Sequence, residues 1–226
     1  MNTINDLSVE RGVEIPGFNE PHSQAIRIWH WTFFGTITAS LVTVLLASTI
    51  FRTRNTIALV QGPLQEKGAT VSTDQARAVA HEYNDKFWML HTYIGYVLCG
   101  LLLSRIIIEI AQPSEEKLRV KLKKALGFRP GNSSEKMERQ HYIQVKGLYL
   151  VFYILIFTMA LTGLGLAFED AAILKGIQGT IKQVHSFVQY LIYGFILIHL
   201  AGVIKADLDK HQGLVSRMIH GKKGEV

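Results

Sequence analysis

VHSFVQYLIYGFILIHL, residues 184–200, is an apolar run carrying two histidines, His185 and His199, fourteen residues apart. On an α-helix, fourteen steps of ~100° bring the second side chain to within about 40° of the first and roughly 21 Å along the axis. The two imidazoles therefore share a face near opposite ends of one membrane-length helix. Ionisable groups inside membranes are rare and usually functional. The spacing asks for a ligand at each of two depths.

The rest of the chain has the same scale. Residues 28–51, 87–104, 147–168 and 183–204 form four long, nearly uncharged stretches. Each is close to the ~20 residues a helix needs to cross the hydrocarbon core. A soluble bundle would instead place charged positions on every turn. The expected fold is an all-α membrane protein, a four-transmembrane-helix bundle. Three regions follow: an N-terminal segment at 1–25, the four-helix domain at 26–204 with an outer loop at 52–86, and a basic tail at 205–226.

Charge sets the orientation. The excess of 24 Lys and Arg over 18 Asp and Glu is concentrated between spans two and three and in the tail. Lys117, Arg119, Lys121, Lys123, Lys124, Arg129, Lys136 and Arg139 fill the first of these, and Lys205, Lys210, Arg217, Lys222 and Lys223 the second. The connection at 169–182 has only Lys175 and Lys182. By the positive-inside rule both termini and the second connection face the cytoplasm. The net charge of +6 then serves topology and anionic lipid. No basic groove motif points to nucleic acid. Residues 1–25 carry Asp6, Glu10, Glu14 and Glu20 without an apolar core, so the first helix is expected to act as an uncleaved insertion signal.

Cys99 is the only cysteine and lies mid-span. An internal disulfide, a Cys-x-x-Cys-His haem attachment, a cysteine-ligated cluster and a thiolate zinc site are thereby excluded. In the outer loop, Gly62-Pro63 reads as a turn. Ser72-Thr-Asp-Gln75 reads as a capping box opening a mixed-charge helix that runs into Phe87. That helix is either simply solvated or a platform for an outer partner.

Topology sorts the histidines. His30 opens span one at the inner face, and His199 closes span four there. His91 begins span two, and His185 begins span four, both at the outer face. Two pairs by depth result, His30 with His199 inside and His91 with His185 outside. Any one of them alone reads as an interfacial residue; four at two matched levels do not. Zinc wants four protein ligands, or three and water, and neither depth offers them. Haem needs only axial ligands, histidine is a common one, and helical bundles hold such groups between facing helices. Two b-type haems, each held by two histidines, fit the pattern.

Other residues carry two readings each. Gly35, Gly95, Gly163, Gly165, Gly194 and Gly202 either leave room for a flat macrocycle or let helices pack closely. Arg27 and Arg105, at inner helix ends, either pair with haem propionates or snorkel to lipid phosphate. Arg105 also stands i,i+4 to Glu109. Gln140, His141 and Gln144 form a polar cluster that either receives a quinone headgroup or is an ordinary helix start. His22, His81, His211 and His220 read as surface residues, and Met89 and Met159 as core.

RIWHW at 27–31, LHTYIGY at 90–96, Thr162-Gly163, the His-x13-His of span four, IHLAGVIKADL at 198–208 and VSRMIHG at 215–221 together carry a resemblance. The sequence resembles the b-type cytochrome subunit of membrane-bound nickel–iron hydrogenases, and more loosely the cytochrome subunit of formate dehydrogenases. The likeness runs from about Ile26 to Gly221. It implies His30 and His199 as ligands of an inner haem, and His91 and His185 as ligands of an outer one. It further implies a bacterial inner-membrane location and an outer partner made of a large and a small (iron–sulfur) hydrogenase subunit. Electrons would pass from outer to inner haem and on to quinone. Span one lacks the glycine that many members carry near its far end, which bears on packing there and not on the ligands. The chain would then be an electron-transfer subunit with no catalytic residue of its own beyond a quinone-reduction site. A formate dehydrogenase-like or stand-alone quinol cytochrome is the alternative within this class. A histidine-based proton or metal transporter, or a passive anchor, belongs to other classes. A transporter would need polar residues through the midplane, where spans one, three and four offer little beyond Thr and Ser.

Overall fold

The computed structural model describes residues 23–113, 117–208 and 214–221. Most of the N-terminal segment, His22, His211, Lys210 and the tail beyond Gly221 lie outside the described residues. The described chain is helical: α1 (Gln24–Ser48), α2 (Thr53–Glu66), α3 (Thr73–Ala111), α4 (Leu118–Gly127), α5 (Ser133–Ala167), α6 (Gln178–Leu208) and α7 (Leu214–His220). Four of these, α1, α3, α5 and α6, are long and apolar enough to cross a membrane. The four expected spans are present.

Three of the four helices extend well past their apolar stretches. At ~1.5 Å per residue, the 39 residues of α3 measure about 58 Å, roughly twice the hydrocarbon thickness. Its polar first part, residues 73–86, thus continues the helix outside the apolar run. The start is fixed as the sequence suggested. Ser72 N–H donates to Gln75 Oε1 at 2.9 Å, and Gln75 N–H donates back to Ser72 Oγ at 3.2 Å, a reciprocal capping box. The start of α5 uses Asn132 in the same way. Its Oδ1 accepts from Glu135 N at 2.8 Å, and Glu135 accepts in turn from Gly131 N at 2.7 Å.

The turn expected at Gly62-Pro63 is absent; both residues sit inside α2. Proline disfavours helix at the preceding residue because its ring strikes that residue's Cβ, and glycine has none. The reversal comes instead at Gly68, whose φ of +80° suits glycine. There Gly68 N–H donates to Gln65 O at 2.9 Å and Ala69 N–H to Leu64 O at 3.0 Å.

The chain packs as two compact parts. The first comprises the described residues of Met1–Ile28, Leu102–Met159 and Gln183–Val226. Here Phe152 stacks on Phe195 with centroids 4.7 Å apart. Arg139 donates to the last carbonyls of α4, Ala125 O at 2.9 Å and Leu126 O at 3.0 Å, a cation meeting the negative end of a helix dipole. The second part comprises Trp29–Leu101 and Ala160–Lys182. Its seam is the face of α1 formed by Phe33, Ile37, Ser40, Thr43 and Ala47, all buried, at the three- and four-residue steps that share a helix side. Trp29 Nε1 donates to Leu101 O at 2.7 Å. Asn84 closes the end of α1, donating to Ala47 O at 2.8 Å and Phe51 O at 2.9 Å. Gly165 approaches Ile181 so closely that a Cβ would lie 3.2 Å from it, so this glycine serves helix packing.

Large apolar side chains face outward along the spans; Leu103, Ile107 and Ile110 on α3 are each more than 60% exposed. A continuous apolar patch of that kind marks an interaction surface in water. On a helix of membrane length it is the surface that meets lipid.

Candidate functional site

His91 is held from α1. Its Nδ1 lies 3.2 Å from Thr43 Oγ1 and 3.3 Å from Ser40 Oγ. Thr43 is not a flexible partner, because its hydroxyl already donates to the carbonyl of Ser40 at 2.6 Å. A hydroxyl has one hydrogen to give. Toward the imidazole Thr43 can only accept, which favours the tautomer protonated on Nδ1. In the neutral ring the lone pair then sits on Nε2. That is the tautomer a metal ligand needs, with the other ring nitrogen hydrogen-bonded to fix its orientation. Ser40 and Thr43 are both buried, so the contact is shielded from water. Trp88 meets the His91 ring edge-on at 5.9 Å and is itself oriented by Asn84, whose Oδ1 accepts from its indole N–H at 3.0 Å.

The other three histidines are placed as follows. His30 lies half-buried in α1, edge-on to Trp31 at 5.6 Å. His185 is half-buried in α6. His199 is exposed further along α6, with Phe195 stacked on it at 6.1 Å and 7° between planes. His30 and His91 belong to the second compact part, His185 and His199 to the first. Among the described residues no three of His, Cys, Asp and Glu gather into a metal-holding group.

The glycines divide. Gly95, one turn beyond His91 on α3, is half-buried and has no atom within 4 Å of where a Cβ would stand, and the same holds for Gly194 on α6. Gly35 and Gly202 are likewise open but exposed. Open space beside Gly95, next to a ligand-ready imidazole, is what a flat macrocycle requires.

Both arginines have partners within the chain. Arg27 Nη1 donates to Ile219 O, in the last turn of α7, at 3.0 Å. A Cβ on Gly221 would lie 2.5 Å from that nitrogen, and Gly221 has φ +76°. The glycine that ends VSRMIHG is thus spatially accounted for: Gly221 makes room for the Arg27 guanidinium. Arg105 pairs with Glu109 at 3.0 Å and donates from Nε to Tyr153 Oη at 3.0 Å. Gln140, His141 and Gln144 are exposed near the start of α5.

Sequence reasoning missed Ser40 and Thr43. Their signal was present, since both fall on the seam spacing of α1 set by Phe33, Ile37 and Ala47. A cavity of about 560 Å³, lined by Arg52, Arg54, Asn84 and Trp88 among others, lies where α1 gives way to α2. It too had no sequence signature.

Four apolar spans and an imidazole set up to ligate define the class, a multi-pass membrane protein built for haem. The chain matches the family described as prokaryotic cytochrome b561 over residues 22–221 and belongs to it. It is accordingly a membrane cytochrome b of electron transfer, binding b-type haem. No curated protein and no solved structure matches it.

Proposed function

We propose that the chain carries electrons across the bacterial inner membrane between two b-type haems, from an outer nickel–iron hydrogenase to quinone. His91 and His185 hold the outer haem, and His30 and His199 the inner one. The observation that carries this reading is the pair of hydroxyls, Ser40 and Thr43, set against His91 Nδ1, an arrangement that suits a ring ligating through Nε2. The fourteen-residue spacing of His185 and His199 supports a second level, because one helix then serves both depths. Bound haem supplies a one-electron carrier; the protein supplies axial nitrogens, their orientation and a dry surround.

The motifs RIWHW, IHLAGVIKADL and VSRMIHG support a hydrogenase as the donor, through its iron–sulfur small subunit. The cavity lined by Arg52, Arg54 and Trp88 places two cations on the side of the proposed outer ligand, where a donor with a complementary negative surface would dock. The basic flanks support cytoplasmic termini. Reduced-minus-oxidised spectra with a haem-to-polypeptide ratio test the reading. Two haems per chain, a sharp α-band on reduction, and co-purification with both hydrogenase subunits are expected. A ratio of one, or none, refutes the two-level scheme.

A further inference from the structure

Arg105 is held on three sides. Its Nε donates to Tyr153 Oη at 3.0 Å, its Nη2 donates to Glu109 Oε2 at 3.0 Å, and its plane lies over the Tyr153 ring at 5.6 Å. Glu109 is braced in turn, its Oε1 accepting from Leu118 N at 2.7 Å. The side chain is only 13% exposed. The remaining nitrogen, Nη1, is buried with no acceptor among the described residues. A buried donor left unsatisfied is costly, and a long side chain would ordinarily swing to relieve it. Here three contacts hold it in place. The Tyr153 hydroxyl, having accepted from Nε, still has its own hydrogen to give.

The charge balance selects the ligand. Glu109 already neutralises Arg105, so a second anion would gain little from the pair, whereas a neutral oxygen acceptor takes the free N–H without adding charge. From Tyr153, ring neighbours lead to Phe152 at 6.0 Å, Phe195 at 4.7 Å and His199 at 6.1 Å. The donor thus stands in the same compact part as an inner-haem ligand. We infer that Arg105 Nη1, with the Tyr153 hydroxyl, forms the seat for one carbonyl oxygen of a quinone headgroup. This rests on the electron-transfer reading for the identity of the carbonyl, since a phospholipid ester offers the same chemistry. His141 lies twelve residues before Tyr153 on α5, about 18 Å along the axis. That is longer than a quinone ring, so the polar cluster at 140–144 does not grip the same headgroup.

The test is equilibrium binding of a short-tailed benzoquinone and a short-tailed naphthoquinone to the purified, haem-loaded protein in nanodiscs. Arg105→Lys keeps a cation beside Glu109 but removes Nη1, and should weaken both probes ~10- to 100-fold, the loss of one charge-assisted hydrogen bond. Tyr153→Phe should weaken them roughly 2- to 10-fold. His141→Leu should leave affinity unchanged, and all three variants should keep both haem spectra. Unaltered affinity in Arg105→Lys overturns the inference and leaves the carbonyl to lipid. Loss of a haem band in that variant overturns it too, assigning Arg105 to a propionate. If Arg105→Lys does not assemble, Tyr153→Phe decides alone, and unchanged affinity there is fatal. Wild-type protein lacking haem would refute the electron-transfer reading instead, while the probe titration still settles Arg105.

Discussion

Thr43→Val removes one oxygen and preserves shape, and it tests the orientation of His91 directly. Thr43 Oγ1 accepts from Nδ1 at 3.2 Å while its own hydrogen is committed to the Ser40 carbonyl. With valine there, the Ser40 hydroxyl at 3.3 Å remains against the ring nitrogen. The neutral hydrogen bond lost is worth about 1 kcal/mol net. The double variant Ser40→Ala, Thr43→Val takes away both hydroxyl acceptors and should cost roughly 2–3 kcal/mol, more than the two singles summed, because a buried donor is then left without either hydroxyl. Hydrogen bonding to the far nitrogen also raises ligand basicity and favours ferric iron. The outer haem's midpoint should therefore rise in Thr43→Val, rise further in the double variant, and return in Thr43→Ser. Redox potentiometry reads the midpoint, and the thermal loss of Soret absorbance reads the stability. If the midpoint stays at its wild-type value in the double variant while Thr43→Ser behaves no differently from Thr43→Val, the tautomer argument is wrong.

The four histidines proposed as ligands give the second prediction. His199→Ala and His30→Ala should each lose the inner haem or turn it high-spin, whereas His185→Ala and His91→Ala should do so to the outer one, as read by spectra and haem counts; a crossed pattern breaks the pairing. For topology, a reporter fused after Val226 should be active only in the cytoplasm, and periplasmic activity would exchange the two levels. Gly221→Ala should undo the Arg27 contact at a cost of about 1–2 kcal/mol for a left-handed alanine before any clash; limited proteolysis of membranes should cut the tail faster, and an unchanged rate would show that Gly221 does not anchor it.

Hydropathy located the spans but not the helix ends, and the reason is physical. Apolarity records where lipid is, while the backbone ladder continues wherever the next residues tolerate it. Hence α3 starts at Thr73 and α5 at Ser133, each at a cap and not at the membrane boundary. The capping box at Ser72 was legible because both its halves lie within four residues. Gly62-Pro63 misled because the glycine that normally signals a break here relieves the clash that proline imposes on helix. Arg139 was counted as topological charge, and it also caps α4, a contact between elements that spacing does not reveal. The histidines could be sorted by depth in the sequence because a helix converts sequence distance into depth. Ser40 and Thr43 were harder to notice, since hydroxyls in an apolar span usually satisfy themselves on their own helix. Thr43 does so, and that is what turns its oxygen into an obligate acceptor for the ring.

The bond from Arg27 to the Ile219 carbonyl joins residues 192 positions apart. Translation proceeds at roughly 5–20 residues per second, so the first span emerges about 10–40 s before its partner in α7 exists. During that interval the guanidinium that opens RIWHW lacks the Ile219 carbonyl. The contact therefore forms only after the residues of α7 have been synthesised. A chain truncated before Ile219 would lack this contact altogether.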